Sequence, residues 1–195
     1  MADNISLIVG LGNPGPEYEN TRHNAGFWLV ETLARQNGIR LSPDRKFHGL
    51  VGKGRIGQQE CWLLMPSTFM NRSGLAVQAL ASFYRLTPAN ILVVHDELDL
   101  PPGTARFKTG GGHGGQNGLR DIISQLGNNK DFHRLRIGIG HPGDKNLVTG
   151  HVLGKASVAD DKVIRAAIDE ACAVLPEALK GNMGAAMNRL HSFKG

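Results

Sequence analysis

Cysteine is scarce: Cys61 and Cys172 are the only two among 195 residues. A disulfide scaffold and a cysteine-ligated metal are therefore excluded as organising principles. Cys61 sits in the apolar run Cys61-Trp62-Leu63-Leu64-Met65 and reads as strand core, and Cys172 lies in an alanine-rich helical stretch. No apolar run reaches the length of a membrane span. Met1-Ala2-Asp3-Asn4 has no basic stretch leading into an apolar one, so the expectation is a cytoplasmic protein without membrane association. His48, His95, His113, His133 and His141 form no H-E-x-x-H or comparable ligand pair, and no metal is expected. Ser67 and Thr68 are not framed by G-x-S-x-G, which excludes a nucleophile elbow there. No block of Lys or Arg forms a basic tail.

What is present is an ordinary globular composition, 41% hydrophobic and 20% charged, long enough to bury one real core. The net charge of +5 favours a polyanionic partner only slightly. The order of periodic segments says more. Residues 5–11 form a short β-branched run ended by glycines, and a helix begins at Asn24 with Phe27, Val30, Leu33 and Ala34 on one face, ending at Gly38. Two strands, 50–56 and 60–65, join through Gly57. Ser73 is placed to cap a helix with Leu75, Ala79, Leu80 and Phe83 inward. Residues 91–95 read as a buried strand. In 104–108, Ala105 and Phe107 alternate with Arg106 and Lys108. Residues 116–126 read as a helix. Leu135, Ile137 and Ile139 alternate with Arg136 and Gly138, which puts one basic side chain on the far face. Asp160 and Asp161 open a long helix bearing Val163, Ala167, Ala171 and Val174. Asn182 opens a last one with Met183, Ala186, Met187 and Leu190. Strands alternating with helices, with no repeat and no linker, predict a single α/β domain over 1–195: a mixed, mostly parallel twisted sheet flanked by helices.

Gly10-Leu11-Gly12-Asn13-Pro14-Gly15 matches the dinucleotide fingerprint directly after a strand. The third glycine should open a helix that holds a pyrophosphate, yet Pro14, Pro16, Glu17 and Tyr18 intervene. The acidic residue at the expected distance, Glu31, falls inside the predicted helix rather than at a strand end. A nucleotide-dependent oxidoreductase is thus the weaker reading. Position carries more. Asn13 follows the first strand, Asn71 follows the strand ending near Met65, and Asp96 follows His95. If these strands run parallel, the three side chains gather at the carboxyl edge of the sheet, where α/β folds place their sites. His23 and Asn24, in the loop leading out of the first strand, share that rim, as does Asn117 beside the glycine run 110–115. A histidine oriented by a carboxylate can activate water near neutral pH, and asparagine amides can donate to a developing oxyanion. Each residue also has an ordinary role open to it: helix cap for His23, turn residue for Asp96 or Asn13, helix start for Asn71.

Five stretches, in order, extend the case. They are Val9-Gly10-Leu11-Gly12-Asn13-Pro14-Gly15 with Tyr18 and Thr21-Arg22-His23-Asn24-Ala25-Gly26; residues 66–74 around Met70-Asn71; residues 95–103, beginning His95-Asp96-Glu97; residues 110–118, ending Gln116-Asn117-Gly118; and residues 132–140 around Arg134-Leu135-Arg136. Together, over roughly residues 5–155, the chain resembles bacterial peptidyl-tRNA hydrolase. The resemblance implies a phosphorylase/hydrolase-like fold and a cytoplasmic monomer. It also implies hydrolysis of the ester joining a peptide to the terminal ribose of tRNA, with peptidyl-tRNA rather than DNA as the partner and no cofactor. It assigns His23 as general base and Asp96 as its orienting carboxylate. Asn13 and Asn71 would hold the peptide near the scissile carbonyl, one of them polarising it. Asn117 would bind substrate and position water, Tyr18 and Met70 would line the cleft, and Lys108 and Arg136 would clamp the 5′-phosphate. The glycine run is then a close-approach loop, a gate or a flexible connector. In the better-known forms of the fourth block a second histidine precedes the asparagine; here Gln116 stands there, which can donate and accept hydrogen bonds but cannot titrate. A non-catalytic RNA-binding module on the same scaffold is the competing class, and an intact His23 and Asp96 argue against it.

Overall fold

Strand β1 (Leu7–Gly10) is buried along its whole length because it lies at the centre of the sheet, hydrogen-bonded on both sides. The computed structural model describes residues 4–195; Met1, Ala2 and Asp3, part of the opening stretch read above for a leader, lie outside the described residues. After β1 come α1 (Ala25–Gln36), β2 (Ser42–Asp44), β3 (Gly49–Ile56), β4 (Gln59–Pro66), α2 (Ser73–Phe83), β5 (Ile91–Glu97) and β6 (Ala105–Thr109). They are followed by α3 (Asn117–Gln125), β7 (His133–Gly138), α4 (Val148–Val152), α5 (Val158–Leu179) and α6 (Met183–His191). The strands form one sheet in the order β2-β3-β4-β1-β5-β7-β6. The inner four, β4-β1-β5-β7, are mutually parallel, and the flanking pairs β2-β3, β3-β4 and β6-β7 are antiparallel. This is the mixed, mostly parallel sheet that the alternation of segments predicts.

Alternate residues of the central strands feed two apolar layers. Ile8, Leu63, Leu92, Val94, Leu135 and Ile137 pack with residues of α1, α5 and α6. Leu7, Val9, Leu64, Ile91 and Val93 pack with residues of α2 and α3. Because β4, β1 and β5 are parallel and in register, with Val9 beside both Leu64 and Val93, their carboxyl ends finish along one rim. Both cysteines are buried and free, and burial pushes each thiol up to about 12.

The glycines of the apparent nucleotide fingerprint serve packing instead. A Cβ at Gly26 would stand 2.6 Å from the backbone nitrogen of Leu11 and overlap the carbonyl oxygen of Val94. At Gly10 it would lie 2.7 Å from the Val30 side chain and overlap the Gly26 carbonyl, and at Gly12 it would run into the Phe27 ring. The start of α1 therefore sits directly on the ends of β1 and β5, leaving no gap for a ligand's phosphates.

Several local expectations need correction. The helix expected from Asn24 runs from Ala25, with Asn24 at its N-cap position, where the side chain bonds Asn13 and leaves the cap unmade. Ser73 is the first residue of α2 and donates to the Met70 carbonyl, while Asp121 of α3 accepts the free N–H of Gly74 at 2.7 Å. The inner face of α2 is Ala76, Val77, Leu80 and Ala81 rather than the stripe through Phe83, which is 55% exposed. Phe83 instead meets Phe47 edge-on and lies under the Lys46 ammonium. Ser157 caps α5, which begins at Val158, and Asp160 and Asp161 occupy its first turn. Strand β2 and helix α4 carry no expectation from the sequence.

Gly26→Ala should cost about 2 kcal/mol or more through overpacking against backbone that cannot move aside. Gly184→Ala in α6, where the added methyl meets open space, should be neutral or stabilising by about 0.5–1 kcal/mol. Thermal and urea unfolding of the two variants measure the contrast, and equal midpoints would remove the close approach as the reason for Gly26.

Candidate active site

The rim at the carboxyl ends of the parallel strands opens into a cleft of about 370 Å³. Asn13, His23, Met70, Asn71, Asp96 and Asn117 all line it, with Phe69, Glu97, Leu98, Gly114, Gly115 and Gln116. The far wall is Val148, Thr149, Val152 and Leu153, on and just after α4.

Asn13, two residues past β1, is held at every polar group but one. Its backbone N–H donates to the Asn24 side-chain oxygen at 2.8 Å, and its carbonyl accepts from the Asn24 amide at 2.9 Å. Its own Oδ1 accepts from the backbone N–H of Met70 at 2.6 Å. The Asn13 NH₂ is left without a partner among the described residues, at the edge of the cleft.

His23 sits in the 3-10 turn Arg22–Asn24, which docks onto the end of α4 and the residues just after it. Arg22 N–H donates to the Gly154 carbonyl at 3.0 Å and its guanidinium to the His151 carbonyl at 2.8 Å. The close packing of Gly26 brings this turn against the end of β5. There Nδ1–H of His23 donates to Oδ2 of Asp96 at 2.8 Å. The His23 side chain is 12% exposed and that of Asp96 3%. Burial is the largest single influence on the imidazole and opposes its charge. The Asp96 charge and hydrogen bond together outweigh it, so the His23 pKa lies above the ordinary histidine value. With Nδ1–H committed to the carboxylate, Nε2 carries the lone pair and makes no hydrogen bond among the described residues. The other Asp96 oxygen, Oδ1, accepts from the side-chain NH₂ of Gln116 at 3.0 Å. Behind Asp96, the buried His95 donates from Nδ1 to the Asp96 carbonyl at 2.8 Å, and burial holds its pKa below the usual value.

Met70 is buried at the floor, while Asn71 and Asn117 are exposed on the rim, in the turn Met70–Arg72 and at the start of α3. Tyr18 stands one residue back: its ring meets Phe69 edge-on at 6.1 Å, and Phe69 faces the cleft. Lys108 and Arg136 lie outside the cleft. They share one face of β6 and β7 with Arg106 and Arg134, since Arg106 pairs with Arg136 and Lys108 with Arg134. Arg136 is 4.0 Å from Glu97, which lines the cleft, so the cationic face and the cleft meet at that carboxylate. The expectation of a single basic residue on β7 fails because the strand begins at His133 and includes Arg134. Arg134 is 2% exposed, and burial and then the Arg136 charge lower its pKa. Its guanidinium donates to the carbonyls of Gly111, Gly112 and Lys130 and lies over the Phe132 ring at 4.5 Å, tying the glycine run to β7. Absent from the sequence reading are the buried role of Arg134, Asp96 as the acceptor for Gln116, Phe69 as cleft lining and the α4 wall. The spacing of Val148 and Val152 on one helical face was the available signal for the last.

Comparison with known proteins places this geometry. The family model described as peptidyl-tRNA hydrolase matches residues 7–195. The chain belongs to the peptidyl-tRNA hydrolase family. It is 62% identical over 190 residues to the peptidyl-tRNA hydrolase of Azotobacter vinelandii, covering 97% of this chain and 98% of that one. It is 58% identical over 194 residues to that of Vibrio vulnificus, covering 100% and 99%. The crystal structure of the peptidyl-tRNA hydrolase from Acinetobacter baumannii superposes with a TM-score of 0.95 at 54% identity, covering 100% of this chain and 97% of that one. For a member of this family, a cleft that aligns a carboxylate, an imidazole and an asparagine amide on one rim is the place to look for ester hydrolysis.

Asp96→Asn tests the electrostatics of the pair. Without the carboxylate, burial acts on His23 unopposed, so its pKa should fall from above to below the ordinary histidine value. Titration of the His23 ring protons by NMR in both proteins reads this directly, and an unchanged pKa would remove Asp96 as the cause of the shift.

Proposed function

We propose that His23 is the general base with which this chain, an enzyme, hydrolyses the ester between a peptide and the terminal ribose of tRNA. One contact carries this assignment: the 2.8 Å hydrogen bond from His23 Nδ1–H to a buried Asp96, which leaves Nε2 as the free base in the cleft. Nε2 takes a proton from water as the water oxygen bonds to the ester carbonyl carbon. The carbonyl electrons move onto oxygen, and the tetrahedral species collapses by breaking the bond to the ribose oxygen. The imidazolium, stabilised by Asp96, returns its proton to that leaving oxygen. A general base supplies on the order of 10²–10⁴-fold, so oriented donors must stabilise the oxyanion as well. Asn13 fits that part. Its oxygen is fixed on Met70 N–H, so its NH₂ presents donors whose position costs nothing to organise at the moment of reaction. Asn71 and Asn117, exposed on the rim, hold the peptide and the 3′ end, and Asn117 also positions water. Met70 forms the floor, and Tyr18 acts through Phe69.

Lys108 and Arg136 take the 5′-phosphate of the tRNA, on a face of β6 and β7 that carries four cations. Phosphate contacts there add affinity without reading base sequence and weaken as salt rises. The partner is peptidyl-tRNA, with RNA rather than DNA the polyanion. Among the described residues no helix is long and apolar enough to cross a membrane. We take the chain as one domain over 1–195, acting as a cytoplasmic monomer.

His23→Ala should reduce turnover of N-acetyl-aminoacyl-tRNA by at least 10²-fold while leaving tRNA binding near normal, as measured by peptide release and by filter binding. A near-normal rate would take His23 out of the mechanism, and a wild-type protein that binds tRNA but releases nothing would make the fold an RNA-binding module. Lys108→Ala and Arg136→Ala should raise KM for intact tRNA several-fold more than for a short nucleotide-ester mimic. Equal effects on both substrates would rule out the phosphate clamp.

A further inference from the structure

We infer that Gln116 is a positioning residue for the hydrolysis, holding Asp96 by a donor whose direction the N-terminus of α3 imposes. This rests on the assignment of His23 as base. Gln116 occupies the N-cap of α3, a position that favours Ser, Thr, Asp or Asn. Its Oε1 accepts the Leu119 backbone N–H at 2.8 Å. That leaves one use for the other end of the amide: Nε2 donates to Asp96 Oδ1 at 3.0 Å and lies 3.3 Å from the Met70 sulfur. Inverting the amide would set oxygen against carboxylate oxygen and NH₂ against an N–H, so only one orientation satisfies both neighbours. The absence of a side chain at Gly118 makes room for it, since a Cβ there would stand 2.7 Å from the Met70 sulfur and 3.0 Å from Gln116 Oε1.

Among the described residues each oxygen of the buried carboxylate thus has one donor, His23 on Oδ2 and Gln116 on Oδ1. The two fix the plane of the carboxylate and, through it, the plane of the imidazole. Because an amide does not titrate, this donor is constant with pH, and it stabilises the Asp96 carboxylate without adding a second proton carrier. The titratable side chains lining the cleft are His23 from its turn and Asp96 and Glu97 from β5. Behind them, His95 bonds the Asp96 carbonyl, with Arg134 adding positive charge at His95. The acid side of the pH profile should therefore follow one ionisation, that of His23.

Gln116→Glu separates capping from positioning. A carboxylate still accepts the Leu119 N–H and suits a helix N-terminus, so the cap survives, while repulsion between the ionised group and Asp96 should lower the thermal midpoint. The substitution also replaces the donor to Asp96 Oδ1 by an acidic group. Once ionised, that group raises the His23 pKa further. The acid limb of kcat/KM should then move up by about one pH unit, so that turnover below the limb falls about tenfold. Gln116→Met, which removes the donor without adding charge, should lower kcat while leaving KM for intact tRNA unchanged. Both variants are assayed beside His23→Ala. If His23→Ala is inactive and Gln116→Glu keeps the parental limb and kcat, Gln116 is a helix cap and the inference is overturned. If His23→Ala itself turns over, it is the general-base assignment that fails.

Discussion

Asp96 brings a negative charge to the end of β5 with only 4% of its surface exposed. An unpaired carboxylate at such a depth would cost several kcal/mol, so the residues around it must supply donors or the charge must go. The donors come from elements far apart in the chain: His23 from the turn before α1, and Gln116 from the cap of α3. Satisfying one buried charge thereby fixes two loops against the same strand end. The same interaction selects the His23 tautomer and raises the affinity of its ring for a proton. Structural need and catalytic use coincide in the one hydrogen bond.

The sheet delivers Asn13, His23 and Asp96 because β1 and β5 are parallel and in register, so the segments at their carboxyl ends share one rim; Gln116 comes with α3 after β6, an antiparallel strand that ends beside His133 at the other rim. Gly10 and Gly26 then set the depth. With no side chains between them, α1 settles onto the ends of β1 and β5, and the preceding turn carries His23 to within hydrogen-bonding distance of Asp96. On the adjoining face, Arg134 draws the glycine run onto β7, next to the exposed Arg106 and Lys108 and the half-buried Arg136. Cleft and cationic face are neighbours through Glu97 and Arg136, which suits a substrate with a reactive ester at one end and a phosphate backbone beyond it.

The legible parts of the sequence were those with local or periodic causes. β1, β5 and α5 announce themselves by β-branched runs or a long apolar stripe, and Asn13, His23, Asp96 and Asn117 stand beside segment ends that could be located. Other features depend on partners distant in sequence. The Asn24 amide bonds Asn13, and the N-terminus of α2, where Ser73 was expected as the cap, is satisfied by Asp121 of α3. Phe83 has the spacing of a core residue but is exposed, because Phe47 and Lys46 offer it a surface stack. Strand β2 has three residues, too few to show a period, and helix α4 has five, so that its one helical signal is the single i,i+4 pair Val148 and Val152. Gln116 was visible as a residue that cannot titrate, but what it donates to required the fold.

The central claim is that one imidazole, His23, does the proton work. The most direct test is to compare two pKa values in the same buffer: that of the His23 ring by NMR in the free enzyme, and that of the acid limb of kcat/KM for N-acetyl-aminoacyl-tRNA. The account predicts one ionisation in the limb, above the ordinary histidine value and coincident with the NMR titration. A limb that follows a different group, or that needs two protons to fit, would contradict it.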